Sequence, residues 1–292
     1  VLKSLDSYSG KKILVTGHTG FKGAWLARIL SKAGAKVYGI SLEPDAGSIF
    51  ALVPDLGMTE STILDLRDRD GVNQYINSHE FDGVFHLAAQ PLVRKSYHQP
   101  VETFATNVMG TAHLLDALLN QNTCPWAIVI TTDKVYKNAE KNIGYVESDS
   151  LGGKDPYSAS KAACEMVVSA WQTLSLVKSS IKIYSARAGN VIGGGDNAED
   201  RLLPDLIRGF LGNKKTVIRN PTSLRPWQHV LDPLHGYLLM GKALIAGESI
   251  SPAFNFGPDE NSRLSVQQMA EIACSNWPNS QGFDILPEEN AL

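Results

Sequence analysis

Residues 12–23 read KILVTGHTGFKG. The first five, Lys12–Thr16, form a short apolar run of the kind that a strand covered on both faces uses, and helical periodicity takes over across residues 21–33. Between the two, Gly17, Gly20 and Gly23 keep a GxxGxxG spacing. At such a strand-to-helix junction each glycine has its own task. Gly17 permits the tight turn, Gly20 lets a pyrophosphate approach the backbone, and Gly23 lets the helix pack closely on the sheet with its positive end facing the anion. The pattern therefore predicts a dinucleotide site at the start of an α/β fold. Glycines alone also fit a tight turn without a nucleotide.

Working outward, strand signals recur at residues 35–41, 61–66, 82–89, Trp126–Thr132 and 181–186, with helical stretches near 68–78 and 103–120. Repeated strand-then-helix order with right-handed crossovers predicts a Rossmann-type doubly wound parallel sheet. After Asn190 the texture changes. Gly193, Gly194 and Gly195, then Pro204, Pro221, Pro226 and Pro233, break the alternation. The expected division is a nucleotide-binding domain over residues 1–188, and over 189–292 a smaller mixed α/β substrate domain, with some chain crossing back to the first. The end, FDILPEENAL, is neither charged nor rich in Gly and Ser, and reads as a chain that stops short of its natural terminus.

Composition narrows the partners. Across 292 residues, 27 Lys plus Arg stand against 30 Asp plus Glu, a formal charge of -3, so no polyanion footprint exists and nucleic acid is not expected. An apolar fraction of 43% with 20% charged residues is that of a globular protein. No apolar run approaches the roughly 20 residues that cross a bilayer, and the first ten residues carry no secretory h-region. Cys124, Cys164 and Cys274 lie far apart without ligand spacing, which disfavours disulfides and zinc and suggests the cytoplasm. The histidines do not cluster, so no metal is expected. His18, inside the glycine loop, reads as a residue near the pyrophosphate.

Cofactor identity follows from charge. The ribose-binding acid usual at the end of the second strand is replaced by Ser41, with Glu43 two residues on. Residues 37–66 contain neither Lys nor Arg, which disfavours a 2′-phosphate and favours NAD over NADP. Asp65 suits the adenine amino group; it equally suits the N-cap of the helix that follows.

Tyr157 and Lys161, in DPYSASK, share one helical face at a spacing of four. A tyrosine becomes a useful base when a neighbouring cation stabilises its phenolate, and Lys161 is placed to do so. With the glycine loop, this sequence resembles the extended short-chain dehydrogenase/reductase family of nucleotide-sugar epimerases and dehydratases. The resemblance implies NAD bound by Gly17, Thr19, Gly20, Phe21, Lys22, Gly23, Asp65, Leu66, Leu87, Ala88, Ala89 and Asn107. It also implies Tyr157 as acid/base, Lys161 as its partner and Thr132 as a hydroxyl on the sugar. The family further implies a homodimer, or a dimer of dimers, built on the helices near 103–120 and from Tyr157. Apolar residues such as Ala112, Leu115 and Leu119 suit that interface or the sheet equally.

TTDKVY, residues 131–136, points to one branch. Sugar-nucleotide 4,6-dehydratases place a Thr-Asp-Glu trio here. Removing water across C5 and C6 of a 4-keto sugar needs an acid for the C6 hydroxyl and a base for the C5 proton. Asp133 suits the acid if held protonated in a desolvated cleft. Lys134 replaces the glutamate: either burial makes it the base, or it stabilises the enolate while another group takes the proton. TTDKVY, AAQPLVRKSY, LGGKDPYSASK, RAGNVIGGGD and RPWQHVLDPLHGYL together resemble the branch acting on CDP-D-glucose. That branch implies a substrate side made by Gln90, Ser96, Asn190, Arg201, Leu203, Arg219 and Arg225, with Arg225 on the pyrophosphate. A 4-epimerase, a dehydratase of another nucleotide sugar and a non-catalytic dinucleotide sensor stay open at this point.

Overall fold

The computed structural model describes residues 2–53, 55–138, 144–259 and 262–285. A 3-10 turn (Leu2–Tyr8) leads into β1 (Lys12–Thr16), α1 (Phe21–Lys32), β2 (Lys36–Ser41), α2 (Ile49–Leu52), β3 (Glu60–Ile63), α3 (Arg69–Asn77) and β4 (Gly83–His86). Then come α4 (Val93–His98), α5 (Pro100–Phe104), a π-helical turn (Ala105–Met109), α6 (Gly110–Gln121), β5 (Trp126–Thr132), α7 (Pro156–Lys178) and β6 (Lys182–Ala188). The central sheet has seven strands, all parallel, in the order β3-β2-β1-β4-β5-β6-β11, where β11 is Ala253–Phe256. This is the doubly wound sheet expected, with its order reversing between β1 and β4. Every residue of β4 and β5 is buried, as strands covered on both faces must be.

Chain contacts divide the protein into two units. The first holds residues 1–188 together with 231–256, which include α9 (Leu231–Ile245) and β11. Its core joins Leu14, Ile40, Val84, Ala127 and Val129 of the strands to Leu114, Leu115 and Leu118 of α6. Each fully buried leucine there is worth about 1.5–3 kcal/mol. Leu115 and Leu119 lie inside this core and Ala112 is buried, so that stripe faces inward and is not the surface of an interface.

The second unit holds residues 189–230 and 257–292. It contains β7 (Val191–Ile192), α8 (Leu202–Leu211), β8 (Thr216–Ile218), β9 (Leu224–Pro226) and β10 (Gln228–His229), then β12 (Arg263–Ser265), α10 (Val266–Ser275) and β13 (Phe283–Ile285). Strands pair as β7 with β10, β8 with β13 and β9 with β12. Leu206, Phe210, Ile218 and Ala270 form its core, with Trp277 stacked on Phe210 at 5.3 Å. The PEENAL terminus lies outside the described residues.

Two local choices of sequence position the site. Asp155 caps α7 in a reciprocal box with Ser158, and Pro156 opens the helix, so Tyr157 is fixed in the first turn. The single helix expected over 103–120 is instead interrupted by the π-turn at Ala105–Met109, which contains Asn107.

Candidate active site

The glycine turn has the shape that an anion requires. Gly17 has φ +74°, and a Cβ there would sit 2.7 Å from the Ala88 nitrogen. A Cβ on Gly23 would meet the Gly17 carbonyl oxygen at 2.1 Å. Among the described residues beyond its chain neighbours, a Cβ on Gly20 would meet the Gly17 oxygen at 3.3 Å and no other atom within 4 Å, so it is uncrowded. Gly20 is also the N-cap of α1, without a side-chain cap and with no acidic residue in the first turn. The positive end of α1 therefore carries no side chain that would compete with a phosphate for it. Leu87 N and Ala88 N donate to Thr16 O (3.2 Å) and Thr16 Oγ1 (3.1 Å), pressing residues 87–89 against this turn. These residues fit NAD.

At the adenosine end, the end of β2 presents hydroxyls in place of an acid. Thr19 Oγ1 lies 2.6 Å from Ser41 Oγ and donates to Leu42 O at 3.0 Å. The His18 ring packs over Gly39, whose Cβ would meet His18 Nδ1 at 2.4 Å. Its Nε2 pairs with Ser61 Oγ at 2.7 Å, and burial pushes the imidazole down to about 4. The helix N-cap is Asp68, bonded to Gly71 N, and not Asp65. Asp65 instead takes the guanidinium of Arg67 on both oxygens, and that pairing holds its carboxyl below the usual range. Leu66 packs its side chain into the core and accepts His113 Nδ1 on its carbonyl.

Tyr157 and Lys161 stand where β5 meets α7. Tyr157 is buried, its amide donating to Ser96 Oγ at 3.1 Å. Lys161 is buried too; Nζ donates to Ile130 O at 3.1 Å, and desolvation lowers its pKa while Cys164 and Glu165 raise it. Beneath it His86 bridges Thr16 Oγ1 (2.7 Å) and Thr111 Oγ1 (2.9 Å), and burial with the charge of Lys161 pushes it down to about 3. A neutral His86 leaves Lys161 without a competing cation. Asn107 accepts Gln90 N at 2.7 Å and donates to Ser160 Oγ at 2.9 Å, tying the loop after β4 to the first turn of α7.

Asp133 and Lys134 open a 3-10 turn capped by Thr132, whose hydroxyl donates to Asp133 Oδ1 (3.0 Å) and accepts Lys134 N (3.4 Å). Asp133 is half-buried; Lys134 is exposed, so the burial on which a lysine base depends is not found. Two residues assigned to substrate are occupied otherwise. Ser96 is fully buried, donating to Val93 O (2.6 Å) and supporting Tyr157. The Gln90 amide is spent on Leu92 and Thr103.

Asn190, Arg201, Leu203, Arg219 and Arg225 all fall in the second unit. Arg201 pairs with buried Asp196 at 3.0 Å, and Arg219 lies 3.6 Å from Asp200. Arg225 is exposed on β9, and Leu203 packs against that unit's core. Sequence reasoning missed the buried acid Glu165, one turn beyond Lys161, and its partner Arg187 at 2.8 Å. The i, i+4 spacing from Lys161 was the available signal. Among the described residues no group of three or more His, Cys, Asp or Glu is placed to hold a metal ion, and no helix is long and apolar enough to cross a membrane.

Comparison with known proteins agrees with this geometry. The NAD dependent epimerase/dehydratase family matches residues 13–257. CDP-glucose 4,6-dehydratase of Salmonella typhimurium LT2 is 43% identical over 290 residues, covering 97% of this chain and 80% of that one. Among solved structures, MoeE5 in complex with UDP-glucuronic acid and NAD is 25% identical at a TM-score of 0.78, over 95% of this chain and 85% of that one. An epimerase of Methanothermobacter thermautotrophicus shares the fold at a TM-score of 0.85 and 24% identity, over 99% and 83%. A family match across most of the chain, over a glycine turn shaped for a dinucleotide and a Tyr157–Lys161 pair at the sheet's carboxyl edge, makes this chain a member of the NAD-dependent epimerase/dehydratase family.

Proposed function

We propose that the protein dehydrates CDP-D-glucose to CDP-4-keto-6-deoxy-D-glucose. The observation that carries this is the relative at 43% identity over 97% of the chain. The Thr132–Asp133–Lys134 turn beside Tyr157 supplies a chemistry to match. Held at the Gly17–Gly23 turn, NAD would supply a hydride acceptor for C4 and a hydride donor for C6, with no net redox change. Tyr157 accepts the C4 hydroxyl proton, and the Lys161 charge stabilises the phenolate that does so. Asp133 delivers a proton to the C6 hydroxyl as it leaves, turning hydroxide into water. Thr132 orients that carboxyl. The C5 proton passes to solvent water beside the exposed Lys134, which stabilises the enolate, and a proton returns to C5 as C6 is reduced.

Within the second unit, Arg225, exposed on β9, and Asn190 are candidate donors for the nucleotide sugar. A cytoplasmic location is supported by three free thiols. A homodimer is supported by exposed apolar residues on the named helices, Phe104, Met109 and Met166, in place of the buried stripe. A panel of CDP-, UDP-, dTDP- and GDP-glucose with NAD tests the function. CDP-glucose is expected to give 4-keto-6-deoxy product fastest; a preference for another nucleobase, or interconversion with the galactose isomer, overturns it.

A further inference from the structure

Six buried or half-buried polar side chains close a network behind the catalytic turn. Glu165 and Arg187, with side chains 3% and 6% exposed, pair at 2.8 Å. Glu165 also accepts Ser185 Oγ at 2.9 Å and the hydroxyl of Thr131. Arg187 donates through Nη1 to Tyr136 Oη at 2.7 Å and to Glu147 O at 3.0 Å. Tyr136 in turn donates to Asn255 Oδ1 at 2.7 Å. Thr131 immediately precedes residues 132–134, and Tyr136 follows them by two. Both ends of the catalytic turn are therefore tied to one ion pair.

A buried ion pair is a poor source of stability, because desolvation of two charges consumes much of their attraction. Its value here lies in placement. We propose that Glu165 and Arg187 are positioning residues that hold residues 132–134 from both ends, so that Asp133 meets the C6 hydroxyl. This rests on the reading of Asp133 as the acid. The pair stands apart from the reacting atoms and acts through Thr131 and Tyr136.

Tyr136→Phe and Thr131→Val test it while leaving Glu165 and Arg187 paired with each other. Displacing a reacting group by an ångström costs up to about 100-fold. Each variant is expected to slow water loss by about tenfold or more in a single turnover with NAD-loaded protein, with C4 oxidation and NAD affinity within about twofold of native. Amide hydrogen exchange across residues 130–137 is expected to quicken in each variant and to stay unchanged elsewhere. Thr131→Ser, which keeps the hydroxyl, is expected to restore both readouts. Unchanged exchange in this segment, or a native dehydration rate, overturns the proposal. If the native protein yields no 4-keto-6-deoxy sugar, the dehydratase reading fails, and hydrogen exchange still decides whether the ion pair holds the turn.

Discussion

Gly20→Ala and Gly23→Ala lie three residues apart and are expected to fail in different ways. At Gly23 the new methyl would stand 2.1 Å from the Gly17 oxygen, 2.7 Å from its carbonyl carbon and 2.8 Å from His18 Cα. All three are backbone atoms, so α1 must move away from the turn. Overpacking of this kind costs about 1–3 kcal/mol, partly offset by up to about 1 kcal/mol of helix propensity. The melting temperature of the cofactor-free protein is expected to fall by roughly 2–4 °C for each kcal/mol. At Gly20 φ is -80°, an ordinary value for alanine, and the nearest atom among the described residues beyond its chain neighbours lies at 3.3 Å. Alanine as N-cap costs about 1 kcal/mol at most, so the fold is expected to survive. The methyl, however, occupies the open side where the pyrophosphate must reach the helix N–H groups. Losing one charge-assisted hydrogen bond costs about 1.5–3 kcal/mol, roughly 10- to 100-fold in Kd. Calorimetric titration with NAD, beside thermal melts without it, separates the two variants. Native NAD affinity in Gly20→Ala would refute the placement of the pyrophosphate.

Asp133→Asn keeps shape and hydrogen bonding but has no carboxylic proton; water loss is expected to slow by about 10²–10⁴-fold while C4 oxidation persists, seen as nicotinamide absorbance that rises and then decays slowly. A native rate of product formation would remove Asp133 from the role of acid. NADP is expected to bind about tenfold or more weakly than NAD, since Ser41 is bonded to Thr19 and Arg67 is held by Asp65; direct titration of both decides, and tighter NADP binding contradicts it. His86 and His18, ordinarily near 6.5, are pushed down to about 3 and about 4. Below pH 6.5 the unfolded chain takes up protons that the folded chain refuses, so stability falls as pH falls, by about 1.4 kcal/mol per unit for each ring, until its folded pKa is reached. His86→Gln is expected to flatten that slope by one proton in chemical denaturation between about pH 6 and 4.5; an unchanged slope counts against a neutral buried imidazole.

How far the sequence foretold the structure depended on whether the deciding interaction was local. Strands Lys12–Thr16 and Trp126–Thr132 fall where the apolar runs place them, because burial on both faces makes their interiors continuously apolar. The capped start of α7 was equally legible from DPYS. The break in the helix over 103–120 was not, since it accompanies tertiary bonds from Asn107 to Gln90 and Ser160. Asp65 and Asp68 compete for one cap, and the winner is set by Arg67, which claims the first. The His18 ring turns toward β2 because Gly39 leaves room for it, a contact between residues 21 apart. Glu165 and Arg187 were hidden for the same reason: each looks ordinary alone, and only the packing of α7 on β6 brings them together.

The central claim is that one protein oxidises C4, expels water from C5 and C6, and reduces C6 with the same hydride. CDP-glucose carrying deuterium at C4 tests it in one experiment, read by mass and by proton NMR of the product. The expected product is a sugar lighter by one water, with the deuterium transferred to the C6 methyl group. Deuterium returned to C4 of an unchanged or epimerised hexose, with no loss of water, would contradict it.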